Sequence, residues 1–235
     1  MISVCVATYN GEKYIKEQLI SILRQIGNKD EVIISDDGST DGTKTIINNI
    51  HDERIKYVRN PAQRGYSSNF SNAINLAGGD IIFISDQDDV WMDGKVEIMV
   101  NRLNNCHMVI SDAQIVDANL KVIKDSHFSE MGVKKGFLIN LLKTRYIGAC
   151  MAFRKEILTK VLPFPRNYKY CAYDYWLAIV SEYYYKVELV KEPLIQYRRH
   201  DNNALTGGVY STNSLPKKLI TRIYVLFELI RRIRK

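Results

Sequence analysis

The chain has 235 residues, of which 46% are hydrophobic and 25% are charged; this composition excludes an intrinsically disordered protein, and the length suits a single domain around one core. The net charge of +7 lies almost wholly at the C-terminal end, because residues 217–235 hold seven Lys or Arg and one Glu. A nucleic-acid-binding protein would more often spread such charge over its folded surface, so we expect no nucleic acid partner.

The cysteines and the N-terminus indicate the compartment. The four cysteines have no CxxC spacing and three of them lie in apolar runs, which predicts reduced, buried thiols: Cys5, Cys106, Cys150 and Cys171. The first residues, MISVCVATYN, lack the basic segment and the length of a signal peptide. No stretch approaches the roughly 18 to 20 apolar residues that a membrane-spanning helix needs. We therefore expect the folded body to lie in the cytoplasm.

Residues 1–105 alternate short apolar, β-rich runs with segments of helical period, the pattern of a parallel sheet with crossover helices. Strands are predicted over residues 2–7, 31–35, 55–58 and 80–85. A first helix is predicted to be capped by Asn10 and to carry apolar residues at helical spacing as far as Ile26. Two further helices are predicted over 43–50 and 69–77, the second closed by Gly78 and Gly79.

Beyond residue 105 the alternation fades. Strands are predicted over 108–113 and 115–123, as a hairpin, and over 148–153 and 186–197. Helices are predicted over 136–142, over 154–162 and after Asp174, and residues 207–214 have the composition of a linker. The sequence thus predicts an α/β protein with one domain over 1–206, made of halves 1–105 and 106–206, followed by a linker and helix over 207–235.

Polar clusters follow three of the predicted strands. They lie at residues 8–10, 36–39 and 86–89. Open α/β sheets bind their ligands at the carboxyl ends of the strands, so we expect the three clusters to meet in one crevice.

The third cluster contains three acids, Asp86, Asp88 and Asp89, within a single turn. Two like charges about 4 Å apart repel by roughly 4 kcal/mol at an effective dielectric of about 20. A divalent hard cation reverses that sign, and Mg²⁺ or Mn²⁺ held by one or two carboxylates keeps positions open for phosphate oxygens. The alternative is a solvated acidic turn in which Asp89 caps a helix.

The second cluster contains Asp36 and Asp37, which end an apolar strand. An acid at this point of a dinucleotide-binding fold holds ribose hydroxyls, so one of the two carboxylates is predicted to contact a nucleoside. A purely structural role, with Asp41 capping the next helix and Gly38 in the turn, is compatible with the same residues.

Three motifs, ISVCVATYNGEKYI, EVIISDDGSTDGT and GGDIIFISDQDDVW, together resemble those of the glycosyltransferase family 2 enzymes, which have the GT-A fold. The similarity covers roughly residues 2–200. SDQDDVW is similar to the motif of bacterial enzymes that build O-antigen, capsule and other polysaccharides, including rhamnosyl-, glucosyl- and galactosyltransferases. The resemblance implies sugar transfer from a nucleotide diphosphate donor, UDP- or dTDP-linked, to an acceptor hydroxyl, with residues 1–105 binding the donor and residues 106–206 the acceptor.

The resemblance also implies roles for individual residues. Donor contacts match five positions: Ala7, Tyr9, Asp37, Arg64 and Asp86. Many relatives have Thr where this chain has Ala7, so its backbone is the expected contact. Asp86 and Asp88 match the DxD motif, and either Asp88 or Asp89 is implied as the ligand of a Mn²⁺ or Mg²⁺ cofactor. His200 matches a position that helps to bind the metal or the diphosphate, although a structural histidine is an equal alternative.

Asp174, in YDYW, matches the catalytic base of the family. Relatives commonly have ED or HD before an aromatic residue, whereas Tyr173 precedes the aspartate here. An aromatic-rich helix would raise the carboxylate pKa from about 3.9 towards that of a better base. The implied mechanism is inverting: Asp174 removes the acceptor proton while the acceptor oxygen attacks the anomeric carbon opposite the diphosphate. A simple helix cap is the alternative.

The C-terminal segment predicts a basic amphipathic helix, with Lys and Arg mainly away from one apolar stripe: Leu219, Ile220, Ile223, Leu226, Phe227, Ile230 and Ile233. Such a helix lies on anionic lipid, where each basic residue contributes about 1 kcal/mol. A lipid-linked glycan acceptor and a peripheral location on the inner face of the cell membrane would follow. Alternatively, the stripe packs on the catalytic domain or on a second subunit of a homodimer.

Three functions other than sugar transfer are compatible with parts of the sequence. A catalytically inactive relative that binds nucleotide sugar is supported by the missing partner of Asp174. A receiver-type signalling domain would explain paired acids after a strand but not residues 86–89 or the second half. A sugar nucleotidyltransferase would have a Gly-rich, basic phosphate loop after the first strand, which ATYNGEKY is not.

Overall fold

The computed structural model describes residues 1–200 and 214–233. Its first part alternates strands and helices as predicted, in the order β1 (Ile2–Thr8), α1 (Ile15–Leu23), β2 (Glu31–Asp36), α2 (Thr43–Asn48), β3 (Ile55–Arg59), α3 (Tyr66–Leu76) and β4 (Ile81–Asp86). The order then continues with β5 (Val90–Trp91), α4 (Lys95–Leu103), β6 (Met108–Val116), β7 (Val122–Lys124), α5 (His127–Met131), α6 (Phe137–Lys143), β8 (Met151–Arg154), α7 (Leu158–Val161), α8 (Tyr173–Tyr184), β9 (Val187–Arg198) and α9 (Leu215–Ile233).

Within the described residues the strands form one mixed sheet in the order β3-β2-β1-β4-β8-β6-β9-β5, with β7 paired to β6. The four strands β1 to β4 are parallel, as the alternating pattern predicted. Strand β8 runs antiparallel to both β4 and β6, and β9 runs parallel to β6. The sheet therefore joins the two halves of the chain edge to edge, with their strand ends facing one crevice.

The core lies on both faces of this sheet because the inner strands β1, β2, β4, β6 and β8 have no exposed side chains. Every residue of β2 is buried, and α1 packs its apolar positions, such as Leu19 and Ile22, against the sheet. The four cysteines are buried and unpaired, which confirms the prediction of free thiols. Burial raises the pKa of the Cys150 thiol to about 12, so this thiol is protonated and inert at neutral pH.

Two predicted helix caps are wrong. Asn10 has a positive φ of 49° and its side chain accepts a hydrogen bond from the backbone N–H of Thr40, so it joins two loops and does not cap α1. Gly78 and Gly79 do not close α3 in a left-handed turn, because the helix already ends before Ala77. A Cβ on Gly79 would lie 2.7 Å from the backbone nitrogen of Ser3, so this glycine is required for the close approach of the chain to β1.

The second half differs from the prediction in several bounds. The predicted hairpin forms, but as the long strand β6 and the short strand β7. Residues 148–150 form a 3-10 turn before β8, where a strand was predicted. Strand β5 and the helices α4 and α5 were not predicted at all. The predicted linker over 207–214 lies, apart from its last residue, outside the described residues.

Helix α9 is attached to the body of the protein. Val225 and Leu229 are buried, and the Arg232 guanidinium lies 4.4 Å from the ring centroid of Trp176 in α8. Arg232 also donates to the carbonyl of Pro163. Among the described residues, no helix is long and apolar enough to cross a membrane.

Candidate active site

The three predicted polar clusters do meet at one edge of the sheet. Thr8 at the end of β1 is in register with Asp36 at the end of β2, and Ala7 is in register with Asp86 at the end of β4. The backbone N–H of Asp37 donates to the carbonyl of Thr8 at 3.0 Å, which ties the second cluster to the first. Because β1 lies between β2 and β4, its carboxyl end forms the floor of a crevice with acids on both sides.

Gln87, for which the motifs predicted no role, holds the first and third clusters together. Its Oε1 accepts from the Thr8 hydroxyl at 2.6 Å and from the Tyr9 backbone N–H at 2.9 Å. Its Nε2 donates to the Tyr9 carbonyl at 3.2 Å. A Cβ on Gly11 would lie 2.4 Å from Gln87 Oε1, so a larger residue there would displace the Gln87 side chain. The side chain acts as a clamp between β1 and β4.

Asp37 is surrounded by donors from the loop before α3. Asn60 Nδ2 donates to Oδ1 at 2.7 Å, and the Gly65 backbone N–H donates to Oδ2 at 2.9 Å. Arg64 Nε donates to the Asp37 carbonyl at 2.8 Å, while its guanidinium lies 4.7 Å from the centroid of the exposed Tyr9 ring. A flat cation–aromatic stack beside a carboxylate is a surface on which a nucleobase stacks and finds hydrogen-bond partners.

Asp36 serves the fold, in contrast to Asp37. It is fully buried, and its Oδ1 accepts from the backbone N–H groups of Gly38 and Ser39 at 2.8 and 2.7 Å. Its Oδ2 accepts from the Tyr57 hydroxyl at 2.5 Å. Both oxygens are therefore used to shape the turn after β2. Of the two adjacent acids, only Asp37 is partly open to solvent.

The acids after β4 differ in exposure. Asp88 is 9% exposed and its Oδ2 lies 2.8 Å from His200 Nε2. Asp89 is completely buried; its Oδ1 accepts from the Arg198 backbone N–H at 2.9 Å, and among the described residues its Oδ2 has no hydrogen-bond partner. The charges of Asp88 and Asp174 both act on Asp86.

Burial and mutual repulsion both raise the pKa values of these acids. Loss of solvent, then the charge of Asp88 and then that of Asp174, raise the pKa of Asp86 to about 8. Burial, followed by the charges of Asp88 and Asp86, also raises the pKa of Asp89 well above its ordinary range. Ionisation of both acids is therefore unfavourable in the folded chain, and a bound cation would favour their charged forms.

The residues beside Asp88 offer an incomplete set of ligands for a divalent cation. Within residues 1–200 and 214–233, no three His, Cys, Asp or Glu side chains form a complete metal site. Asp88 and His200 nevertheless present an oxygen and a nitrogen ligand side by side, and Mg²⁺ or Mn²⁺ commonly takes its other ligands from phosphates and water. The clustered acids and this pair fit a cation. Asp89 suits that role less well, since it is buried and bonded to the backbone of β9.

Arg198 holds in place the turn that carries Asp88 and Asp89. Its Nε donates to the Asp88 carbonyl at 2.6 Å, its Nη1 to the Ala118 carbonyl at 2.7 Å, and its Nη2 pairs with Glu17 at 2.5 Å. Its guanidinium also lies over the Tyr14 ring, 4.6 Å from the centroid. Arg198 lies in the same YRRH segment as the predicted site residue His200. Nothing in that segment predicted that its first arginine would be buried.

Asp174 occupies the first turn of α8, facing the acids of β4. Its Oδ1 accepts from the Tyr175 backbone N–H at 2.8 Å. Loss of solvent raises the pKa of Asp174 to about 6, although the backbone N–H groups at the start of α8 act in the opposite direction. A carboxylate with this pKa is ionised at neutral pH and more basic than a solvated aspartate, the property required of a general base.

The floor beneath Asp174 is closely packed. Tyr173 is 3% exposed and stacks on Phe70 with centroids 4.3 Å apart, so its side chain serves packing. A Cβ on Gly148 would lie 2.2 Å from the Tyr173 hydroxyl and 3.3 Å from Asp174 Cβ. The fully buried Lys95 donates to the next carbonyl, that of Ala149, at 3.0 Å, and burial lowers its pKa to about 8. Glycine at position 148 therefore keeps the turn close to the predicted base.

Comparison with known proteins gives this arrangement a family. A sequence model of the family described as "Glycosyl transferase family 2" matches residues 3–162, more than half of the chain. The chain belongs to glycosyl transferase family 2. Family membership makes it a glycosyltransferase and excludes the receiver and nucleotidyltransferase alternatives.

Relatives and solved structures agree with this family. The chain is 27% identical over 184 residues to the Escherichia coli UDP-Glc:alpha-D-GlcNAc-diphosphoundecaprenol beta-1,3-glucosyltransferase WfgD, covering 77% of this chain and 70% of WfgD. TarS of S. aureus, solved with UDP-GlcNAc, superposes with a TM-score of 0.72 at 19% identity over 98% of this chain and 72% of that one. Mannosyltransferase PcManGT from Pyrobaculum calidifontis, solved with GDP-Man and Mn²⁺, gives 0.62 at 19% identity, over 99% and 73%. These likenesses confirm the predicted GT-A fold.

Proposed function

We propose that this glycosyltransferase moves a sugar from a nucleoside diphosphate donor to a hydroxyl group of a lipid-linked glycan acceptor, with inversion at the anomeric carbon. The observation that carries the proposal is that Asp174 lies near Asp86, at the end of the strand whose neighbour, β1, leads into the stack of Tyr9 and Arg64. WfgD acts on a sugar linked to diphosphoundecaprenol, and TarS was solved with a nucleotide sugar, which supports both substrate classes.

The donor half, residues 1–105, is proposed to hold the nucleotide. The base stacks on the surface formed by Tyr9 and Arg64, and the backbone of Ala7 lies beneath it at the end of β1. Asp37 faces the nucleoside with its carboxylate oriented by Asn60 and Gly65. Arg64 adds a positive charge close to the donor, because it reaches from the α3 loop to the carbonyl of Gly38 at 2.9 Å.

Asp88 and His200 are the proposed holders of a Mn²⁺ or Mg²⁺ ion, and Asp86 is the proposed contact to the donor beside it. Bound there, the ion would neutralise charge on the leaving diphosphate. Arg198 and the buried Asp89 keep the turn that carries Asp88 in place. This assignment selects Asp88 over Asp89 as the ligand, since Asp88 is the acid in contact with His200.

The acceptor half, residues 106–206, is proposed to present the acceptor hydroxyl to Asp174. The acceptor oxygen forms a bond to the anomeric carbon as the bond from that carbon to the diphosphate oxygen breaks, and the diphosphate leaves with the electron pair. The acceptor proton moves to the Asp174 carboxylate, whose Oδ1 is held by the Tyr175 N–H. One displacement with no covalent sugar intermediate gives inversion.

Two variants and a matched control test the roles. Asp174→Asn should retain nucleotide-sugar binding, followed as a thermal shift across UDP-, dTDP- and GDP-sugars, but lose transfer by about 10³-fold. Asp88→Asn should lose the part of the thermal shift that requires Mn²⁺. Asp125→Asn removes an exposed acid just after β7, outside the proposed set of site residues, and should change neither. Undiminished transfer by Asp174→Asn would remove the base from this mechanism, and a shift lost with Asp125→Asn as well would reject the assignment of Asp88.

A further inference from the structure

Two separate helices expose apolar side chains on the same side of the protein. In α6, Leu138 and Leu142 are each 69% exposed and lie one helical turn apart. In α9, Leu219, Ile223, Phe227 and Ile230 are all exposed and follow one another at spacings of three or four residues. These six side chains are called the α6–α9 face below. Six large apolar side chains in open water are costly unless a partner covers them.

The two helices are joined, so their apolar side chains form one surface. Arg222 of α9 donates to the carbonyl of Leu142, the residue at the exposed end of α6. Arg222 lies between Leu219 and Ile223 along α9, which places these two residues beside Leu142. Only the α9 part of this surface was visible as a pattern in the sequence.

The α6–α9 face is not left over from a helix that has failed to dock. Helix α9 already packs on the body through its opposite side, where Val225 and Leu229 are buried and the Tyr224 hydroxyl accepts from the Asn167 N–H at 3.3 Å. Turning α9 to hide its exposed stripe would expose Val225 and Leu229. The occupant must therefore come from outside the described part of the chain.

The charges around the face identify the occupant. Lys134 and Lys135 precede α6, and Lys143 ends it; the sequence has no acidic residue from 131 to 155. Around α9 lie Lys217, Lys218 and Arg231, and the one acid of that helix, Glu228, pairs with Arg231 and Arg232. A second copy of the chain would bring two basic rims together. A surface of anionic headgroups over an apolar layer fits both the rim and the six apolar side chains.

We propose that the α6–α9 face is a membrane-docking surface for anionic phospholipid, built jointly by α6 and α9. This inference rests on the proposed function, because it supplies the surface on which a lipid-linked acceptor would be met. Both helices contact the helix that carries Asp174: the Tyr175 hydroxyl donates to the Leu141 carbonyl at 2.7 Å, and Arg232 covers Trp176. Docking would therefore fix the direction in which Asp174 faces the membrane.

The test uses full-length protein and sedimentation with vesicles of phosphatidylcholine, with and without phosphatidylglycerol, in the absence of donor and metal. One double variant changes α6 (Leu138→Asp, Leu142→Asp) and another changes α9 (Ile223→Asp, Phe227→Asp). The control places the same two charges on an exposed apolar pair elsewhere, Val122→Asp with Ile123→Asp in β7. We expect wild type and control to bind the anionic vesicles. Each α6 or α9 double variant should bind them with an apparent affinity lower by on the order of tenfold or more.

A charge variant separates the electrostatic contribution of the lipid headgroups from the hydrophobic contribution to vesicle binding. Lys135→Glu with Lys218→Glu leaves the six apolar side chains intact and should weaken binding to anionic vesicles while leaving the weak binding to phosphatidylcholine unchanged. Circular dichroism and thermal unfolding verify that each variant is folded. Unchanged vesicle binding in the α6 variant would overturn the joint surface, as would a light-scattering result in which wild type is a dimer and the variants are monomers that still bind lipid.

Failure of this inference is distinguishable from failure of the proposed function. Vesicle binding requires neither Asp174 nor Asp88, whereas transfer to a water-soluble, short-chain acceptor analogue requires both. We expect the α6 and α9 variants to keep transfer to the soluble analogue and to lose transfer to an acceptor embedded in vesicles. Equal loss with both acceptors would refute docking as the cause.

Discussion

Replacing Asp86 by Asn should stabilise this protein while removing a proposed donor contact. In the folded chain burial, and after it the charges of Asp88 and Asp174, oppose ionisation of Asp86 and raise its pKa to about 8. An amide of the same shape carries no charge at any pH. The substitution therefore removes the repulsion and keeps most of the packing.

The direction with pH follows from linkage between protonation and folding. The unfolded carboxyl loses its proton near its ordinary value of 3.8, whereas the folded one keeps it to about pH 8. The pKa of Asp86 is higher in the folded chain than in the unfolded chain. The contribution of Asp86 to the free energy of unfolding of wild type is therefore fully present below pH 4 and is lost as the pH rises towards 8, at up to about 1.4 kcal/mol for each pH unit. Because Asp86 is only half-buried and its neighbours relax, we expect about 2 kcal/mol between variant and wild type at pH 8.

Urea unfolding between pH 4.5 and 8, in the presence of a chelator, measures this difference without knowledge of the substrates. Asp125→Asn, which removes an exposed acid, serves as the control and should follow wild type within about 0.5 kcal/mol. Adding Mn²⁺ should narrow the gap between Asp86→Asn and wild type, because a cation stabilises the ionised carboxylates of wild type. If Asp86→Asn and wild type are equally stable at pH 8 in the chelator, the three acids do not share one crevice and the active-site assignment fails.

Three further predictions concern turnover. The kcat/KM of wild type should fall about tenfold from pH 7 to pH 5, since the pKa of Asp174 is about 6 and only about one site in eleven is ionised at pH 5; a flat profile over this range would contradict Asp174 as the base. Gly148→Ala places a methyl group 2.2 Å from the Tyr173 hydroxyl, so kcat should fall by at least about 100-fold while nucleotide binding persists in a thermal-shift assay; normal turnover would show that this turn does not position the base. Gln87→Ala removes the clamp between β1 and β4 and should weaken nucleotide-sugar binding about tenfold in calorimetry, against unchanged affinity if the clamp is dispensable.

Much of the donor half was predictable because local rules and the sheet agree there. Apolar runs ending in polar clusters predicted β1, β2 and β4, and the rule that ligands bind at strand ends predicted that residues 8–10, 36–39 and 86–89 converge. The motif resemblance then indicated Asp174, which lies 85 residues beyond Asp89 and could not have been placed by periodicity.

The remaining features depend on contacts between distant parts of the chain. Asn10 has the residue type of a helix cap, but its side chain is used by the loop at Thr40. Asp89 looks equivalent to Asp88 in the sequence, yet the backbone N–H of Arg198 in β9, more than a hundred residues later, donates to its buried carboxylate. The pairing of α6 with α9 could likewise not be predicted from the sequence. Leu138 and Leu142 indicate only a short apolar helix there, with no sign of its neighbour.

The seating of α9 against α8 has a consequence for how this enzyme is handled. Shortening the chain at residue 206, the predicted end of the α/β domain, would take away Val225, Leu229 and the guanidinium that covers Trp176. Water would then reach the back of the helix whose first turn holds Asp174. Low turnover by such a truncated enzyme would therefore reflect the lost packing behind α8. It would carry no information about the preferred sugar.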